Sequence, residues 1–215
     1  MPGSRVLDVG CGHGELIDEL NGLGMRTMGL EVAPRLVAEC CERGLSVRHG
    51  MAESLPFDDA SFDAIVSSVV LPYTKERLAF REFNRVLRPG GVMNLTCHGL
   101  GYGLHYAISE QGKRLYGVRM IANTLTYSLT GRRLPGVLGD CLCQTERGVR
   151  SYARENDLVL SDTLVVDTYL GLPRFIGFRL KKPGSVRTAS PTVDVASGIE
   201  PATAARKPSP VETHA

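Results

Sequence analysis

The 215-residue sequence predicts an α/β fold, with a single doubly wound, mostly parallel sheet of seven strands and a helical insert after the fifth strand. Predicted strands alternate with predicted helices along the first hundred residues, which favours a parallel sheet with right-handed crossovers. The first apolar strand also runs into a glycine-rich loop and then a helix, which is typical of the ligand-binding edge of such sheets. The length suits one domain with a substantial core.

Apolar runs and breaking residues predict the order of the elements. The predicted strands cover residues 6–9, 27–31, 46–49, 62–69, 92–97, 163–167 and 174–180. The predicted helices cover residues 15–20, 33–43, 75–87 and 146–156, and the insert covers 99–144. The domain is expected to end at residue 182. Residues 183–215 lack aromatic side chains and are rich in Pro, Ser, Thr and Ala, which predicts a disordered tail.

Three glycines, Gly10, Gly12 and Gly14, follow the first strand at intervals of two residues. Glycine permits positive φ angles and a close approach between backbone and ligand. The dinucleotide fingerprint needs its third glycine three positions after the second, where this chain has Glu15, so the spacing disfavours a nicotinamide oxidoreductase. Asp8, inside the same motif, would repel a pyrophosphate but suits a ligand that carries ammonium and sulfonium groups. The loop therefore favours S-adenosylmethionine (SAM) as the cofactor.

Residues 6–15 resemble motif I of the class I SAM-dependent methyltransferases, small-molecule type. Further stretches resemble the same family: an acidic residue at the end of the second strand, the loop of residues 52–57, and the helix-to-strand turn of residues 85–91. The last of these is expected to be structural only. The resemblance implies a SAM site and the following cofactor-binding residues: Asp8, Gly10, Gly12, His13, Glu31, Val32, Ala52, Glu53 and Ser67.

The resemblance gives Glu31 a specific role, and the chain departs from the family at Met51. Glu31, about twenty residues after the glycine loop begins, is expected to accept hydrogen bonds from both ribose hydroxyls. In the loop after the third strand the family most often has Asp where this chain has Met51, and that Asp accepts from the adenine amino group. We therefore expect adenine to be held by the Ala52 backbone, by Glu53 or by packing against Val32, with weaker cofactor affinity.

Methyl transfer needs alignment of the nucleophile, the methyl group and the sulfur atom, and it needs a base only for a weakly acidic nucleophile. His98 follows the fifth strand and Tyr73 follows the fourth, where ligands lie in such sheets, so both are candidate catalytic residues. A histidine at a strand end can equally be a polar cap. Residues 71–73 lack the Asn/Asp-Pro-Pro-aromatic tetrapeptide of amide- and base-N-methylating enzymes, which favours O-methylation slightly over N- or C-methylation.

The insert is the expected site of acceptor selection. Its glycines at 99, 101 and 103 suggest a flexible entrance, and apolar residues recur at helical spacing further along, namely Leu115, Val118, Ile121, Leu125 and Leu129. This stripe predicts either a helix packed on the core or a lid over an apolar substrate. Arg132 and Arg133 either meet an acidic group or cap the helix.

The composition limits the kinds of partner that we expect the protein to bind. Twenty-five basic against 23 acidic residues give a nearly balanced charge, so no nucleic acid is expected, and no apolar run reaches spanning length. The six cysteines, without a signal peptide, predict reduced thiols in a cytoplasmic protein and no metal site. A small or lipid-like substrate is expected.

The position of the first strand leaves two alternatives open. That strand begins within a few residues of Met1, whereas the family usually has helices there that cover the pocket. This predicts a truncated N-terminus or a homodimer or partner chain that supplies the cover. A non-catalytic SAM-binding or partner-activating subunit is therefore the alternative function.

Overall fold

The computed structural model describes residues 1–109 and 112–184. Seven strands form one sheet in the order β3-β2-β1-β4-β5-β7-β6, in which β7 runs antiparallel to both of its neighbours and every other pair is parallel. This confirms the predicted α/β class. The end of the predicted tail, residues 185–215, lies outside the described residues.

The first half of the domain follows the predicted alternation, with boundaries within one or two residues of those expected. Its elements are β1 (Arg5–Val9), α1 (Glu15–Gly22), β2 (Arg26–Glu31), α2 (Pro34–Glu42), β3 (Val47–His49), β4 (Phe62–Ser68) and α3 (Glu76–Val86). A short 3₁₀ turn, Leu71–Tyr73, links β4 to α3. Both β1 and β4 are covered on their two faces, which explains their nearly continuous apolar sequences.

The fifth strand is longer than the sequence predicts. β5 covers Leu87–His98 and begins directly after α3. Its early start is stabilised by backbone hydrogen bonds that Gly90 and Gly91 exchange with Lys182, directly after the last described strand. The pairing with β4 shifts register at this point, between Phe62 and Ala64. Most of the predicted helix-to-strand turn of residues 85–91 therefore lies inside the strand, as an irregularity.

The second half completes the sheet and adds the insert. Its elements are α4 (Leu100–Ile108), α5 (Arg114–Thr130), a 3₁₀ turn (Gly136–Gly139), α6 (Glu146–Glu155), β6 (Val159–Tyr169) and β7 (Leu172–Lys181). The two strands form one hairpin. Its turn residues Leu170 and Gly171 both have positive φ, as a two-residue type I′ turn requires.

The glycines at 99, 101 and 103 do not form a flexible entrance, so that expectation is wrong. Gly101 and Gly103 lie buried within α4, where a Cβ on Gly101 would sit 2.2 Å from the Leu172 carbonyl oxygen. Gly117 of α5 faces α4 equally closely, with its Cβ position 2.5 Å from the Gly103 carbonyl oxygen. These glycines allow backbones to pack against each other.

The predicted apolar stripe of α5 is not the side of the helix that packs on the core. Gly117, Met120, Asn123 and Thr124 form its buried face. Four residues of the predicted stripe, Leu115, Val118, Leu125 and Leu129, are exposed, and Leu115 and Leu129 are 80% and 85% exposed. The fifth, Ile121, is half-buried and packs against Gly103 of α4.

Candidate cofactor and acceptor site

A cavity of about 310 Å³ lies at the carboxyl ends of the central strands, the position at which open α/β sheets bind their ligands. Its walls come from the ends of β1 and β2 and from the segments that follow β3 and β4. The lining residues are Val9, Gly10, Leu30, Glu31, Val32, Gly50, Met51, Ala52, Glu53, Val69, Val70, Tyr73 and Thr74. Six of the residues singled out from the sequence are among them, while Asp8, Gly12, His13, Ser67 and His98 are not.

Glu31 ties the glycine loop to the end of β2. Its Oε2 atom accepts a hydrogen bond from the Gly12 N–H at 3.1 Å, and its Oε1 atom accepts from the N–H groups of Val32 and Ala33 at 2.9 Å. The side chain is buried at the cavity wall. A carboxylate has about four acceptor positions, so this one can still accept from ligand hydroxyl groups.

Asp8 lies behind the glycine loop near Glu31. Burial, and secondarily the negative charge of Glu31, raises the pKa of the Asp8 carboxyl from its ordinary 3.8 to about 6. No described residue donates a hydrogen bond to this carboxyl or pairs with it as a cation. Two neighbouring buried carboxyl groups without a cation favour a positively charged ligand, which fits the ammonium and sulfonium groups of SAM.

The glycines of the loop differ in what they allow. Gly10 has a φ of +75°, and a Cβ there would lie 2.2 Å from Cγ2 of Val70 across the cavity wall. Gly12 has a φ of +56°, and no atom lies within 4 Å of its Cβ position. The space above Gly12 is therefore open to a ligand, whereas Gly10 is needed for packing.

Two predicted cofactor residues make other contacts. The hydroxyl of Ser67 is buried and donates to the Val9 carbonyl at 3.1 Å, which joins β4 to β1. The His13 ring is on the surface, with Nδ1 3.3 Å from the Glu39 carboxylate. Only the backbone of His13 remains in the glycine loop that borders the cavity.

The loop after β3 is held from below by α3. Glu82 accepts from the Leu55 N–H at 2.8 Å, and Arg85 donates to the carbonyl oxygens of Leu55 and Phe57 at 2.9 and 2.7 Å. Above these contacts, Glu53 accepts from the Lys75 N–H at 2.9 Å while it lines the cavity. The sequence motif around Arg85 thus supports the loop that forms one side of the cavity.

His98, at the end of β5, is buried in a cluster of aromatic rings. The ring of Tyr102 stacks on it with centroids 3.6 Å apart, and the rings of Tyr73 and Phe175 approach at 6.1 and 5.5 Å. Burial lowers the pKa of His98 to about 4, so the imidazole is neutral at physiological pH. Its Nδ1 atom is buried and has no hydrogen-bond partner among the described residues.

Tyr73 connects this aromatic cluster with the cavity. It lines the cavity, and its hydroxyl lies 3.0 Å from the hydroxyl of Tyr116 on α5. Arg133, after α5, donates to the Thr74 carbonyl at 2.5 Å. No described residue of the insert lines the cavity itself, so the insert supports the wall formed by Tyr73 and Thr74 from outside.

Val69 and Val70 form part of the cavity wall that sequence analysis missed. Val69 has a φ of +59°, which is strained for a β-branched residue. Their position directly after β4 was a signal, since side chains at this edge meet ligands. Their apolar character, however, resembles a simple continuation of the strand.

The comparisons with known proteins agree with this geometry. Residues 7–95 match the family model described as a methyltransferase domain. An uncharacterized protein of Mycobacterium tuberculosis is 30% identical over 167 residues, which are 71% of this chain and 59% of that protein. A malonyl-[acyl-carrier protein] O-methyltransferase of Herminiimonas arsenicoxydans is 29% identical over 163 residues, 75% of this chain and 62% of the relative. The chain thus spans about three fifths of the length of these curated relatives.

The fold has solved counterparts as well. The crystal structure of a SAM-dependent methyltransferase from Methanosarcina mazei superposes with a TM-score of 0.65 at 20% identity, covering 86% of this chain and 94% of the other. The matched domain, motif I and the sheet order together define a class I methyltransferase domain. Residues 7–95 thus form a methyltransferase domain with the class I fold, and SAM is the cofactor that a domain of this kind implies.

The structure also describes the cysteines, the groups that could bind a metal ion and the lengths of the helices. All six cysteines are free thiols. Within residues 1–109 and 112–184, no group of three or more His, Cys, Asp or Glu side chains is arranged to hold a metal ion. In the same part of the chain, every helix is too short or too polar to cross a membrane.

Proposed function

We propose that the chain transfers the methyl group of SAM to an oxygen atom of a small or lipid-like apolar acceptor. The observation that carries this proposal is the buried, neutral imidazole of His98, with its unpartnered Nδ1, beside the ring of Tyr73 at the cavity wall. The relative named as an O-methyltransferase supports the choice of oxygen, because its name states that the methyl group goes to an oxygen atom.

The proposed cofactor contacts follow from the cavity. Glu31 accepts from a ribose hydroxyl with its remaining acceptor position, and Asp8 balances the positive charge of the amino-acid end, which lies in the open space above Gly12. Ala52, Glu53 and Val32 surround the adenine. SAM supplies a methyl group on a positively charged sulfur leaving group, and the protein orients that group and excludes water from it.

The acceptor is proposed to lie between Tyr73 and His98. A neutral imidazole nitrogen accepts a hydrogen bond from an acceptor hydroxyl and takes up its proton as the oxygen–methyl bond forms. Access to Nδ1 requires the surrounding rings to move, since the atom is enclosed in the present arrangement. The apolar aromatic walls favour an acceptor with little charge.

The test measures methyl transfer from isotopically labelled SAM to a panel of phenols, hydroxylated lipids and carboxylic acids. His98→Ala should lower the rate by about 10²–10⁴-fold for a hydroxyl acceptor, because the proton acceptor is removed. His98→Phe fills the same space with a ring that cannot accept a proton, so it controls for packing and should be as slow as His98→Ala. Equal rates for His98→Ala and the wild type on every accepted hydroxyl would contradict the role of His98.

The same assay separates the enzyme from the alternative, a non-catalytic SAM-binding or partner-activating subunit. Calorimetry should show SAM binding that Gly12→Val abolishes, since its side chain occupies the open space above the loop. SAM binding without transfer to any acceptor, together with activation of a second methyltransferase, would favour the subunit. Transfer by the isolated chain would exclude it.

A further inference from the structure

Helix α5 exposes a line of apolar side chains on its outer side. Leu115, Val118, Ala122, Leu125 and Leu129 recur at alternating intervals of three and four residues, which places them along one side of the helix. All five are exposed. The opposite side is the one that packs against the rest of the domain, through Gly117, Met120, Asn123 and Thr124. We refer to the five exposed residues as the outer stripe.

The charged residues of the segment that carries the outer stripe are all basic. Residues 112–133 contain five basic residues and no acidic one, whereas the whole chain has a net charge of only +2. Arg119 pairs with Asp140, and Arg133 pairs with Glu76. Arg114 and Arg132, one near each end of the stripe, pair with no carboxylate of the described residues. Among the described residues, α5 therefore presents an apolar line with an arginine near each end that pairs with no carboxylate.

These features fit an interfacial helix. Helices that lie in the plane of a membrane interface bury an apolar face at the acyl boundary and direct Lys and Arg toward anionic headgroups. The 17 residues of α5 give a contact line of about 25 Å. A second copy of the chain fits less well, because the stripe offers five residues while a stable interface needs about 20–30 on each side.

We propose that α5 docks this protein on an anionic lipid surface through the outer stripe, with Arg114 and Arg132 contacting headgroups. The docked helix also carries Tyr116, whose hydroxyl contacts Tyr73 at the cavity wall. Docking thus places the wall of the cavity near the bilayer, and the benefit for a lipid-like acceptor rests on the proposed function. The surface contact itself depends only on α5.

The experiment is co-sedimentation of the full chain with vesicles. Vesicles of equimolar phosphatidylcholine and phosphatidylglycerol should bind the protein, and vesicles of phosphatidylcholine alone should bind it much less. The double variant Leu125→Asp/Leu129→Asp should bind the anionic vesicles at least about tenfold more weakly, because two large apolar contacts are lost. Arg114→Glu/Arg132→Glu should also weaken binding and reduce its sensitivity to salt.

The matched control is Leu164→Asp/Val166→Asp on β6, where the side chains are 65% and 59% exposed. This control should bind vesicles like the wild type, and SAM affinity should be unchanged in all three double variants. Failure of the wild type to bind anionic vesicles, or equal binding by the stripe variant, would overturn the proposal. So would a dimer in sedimentation velocity that the stripe variant dissociates, because the stripe would then be a contact between two copies. SAM binding and methyl transfer to a soluble acceptor are measured without vesicles, so their outcome is separate.

Discussion

At the scale of single residues, the buried carboxylate of Asp8 lowers the stability of the free protein and favours binding of a positively charged ligand. Its pKa of about 6 exceeds the ordinary 3.8, so between these values the folded protein holds a proton that the unfolded chain has lost. Stability therefore falls as the pH rises through this window, by up to about 3 kcal/mol for a shift of this size. We expect Asp8→Asn to stabilise the free protein above pH 6 and to weaken SAM binding.

Urea unfolding on both sides of this pH window measures the stability change, and calorimetry measures SAM affinity. Asp58→Asn, at an exposed position, is the control and should change neither quantity. If Asp8→Asn is less stable than the wild type at neutral pH, the carboxylate is stabilised by its surroundings, contrary to this account. If SAM binds equally well, the carboxylate does not balance the cofactor's charge.

Met51 offers a gain of affinity at the same cavity. It lines the wall and is 55% exposed, so a shorter polar side chain is tolerated there. Met51→Asp should tighten SAM binding by ~1 kcal/mol, because a carboxylate can accept from the adenine amino group. Met51→Ala removes the same side chain without adding an acceptor, and it should not tighten binding. Calorimetry that shows equal or weaker affinity for Met51→Asp would mean that apolar contact is preferred.

At the scale of elements, α4 and α5 pack so closely that there is no room for a side chain at Gly117. A Cβ there would lie 2.4 Å from the Ala107 amide nitrogen and 2.5 Å from the Gly103 carbonyl oxygen, which are backbone atoms that cannot turn aside. Gly117→Ala should cost about 1–3 kcal/mol of the free energy of unfolding. Gly22→Ala in α1 is the control, since no atom lies within 4 Å and alanine favours the helix. Equal stability of Gly117→Ala and the wild type would show that the helices separate easily.

The elements also show which parts of the fold a sequence pattern can predict. Strands such as β1 and β4 were predictable because burial on two faces demands a continuous apolar run. The orientation of α5 was not, because periodicity gives one apolar side without saying whether the core or something outside the domain covers it. Gly101 and Gly103 suggested flexibility because a missing side chain equally permits motion and close packing, and only the neighbouring backbone decides between them.

At the scale of the whole molecule, the cavity was predictable in position but not in its supports. Motif I and Glu31 lie on adjacent strands, so parallel pairing alone brings them together. The aromatic cluster of His98, Tyr73 and Phe175 joins three distant parts of the chain, and no local pattern predicts such contacts. Support of the cavity wall by the insert depends likewise on tertiary packing.

That support is centred on an ion pair between a buried carboxylate and a half-buried guanidinium. Glu76, at the start of α3, is buried, and its Oε1 atom accepts from Arg133 at 2.5 Å and from Gln144 at 3.2 Å. Arg133 also donates to the carbonyl oxygens of Gly139 and Thr74. One guanidinium thus joins the insert, α3 and the cavity wall.

Removing one partner of this pair leaves a buried charge without its counterion. We expect Arg133→Met to cost ~3–5 kcal/mol of unfolding free energy, and Glu76→Leu/Arg133→Met to cost clearly less, because the double variant buries neither charge. Urea unfolding of the two single variants and the double variant gives the coupling energy. The exposed pair Glu146–Arg150 is the control, and removing it should cost a few tenths of a kcal/mol. If the two costs simply add, Glu76 and Arg133 stabilise the protein independently, and the pair does not hold the insert to the cavity wall.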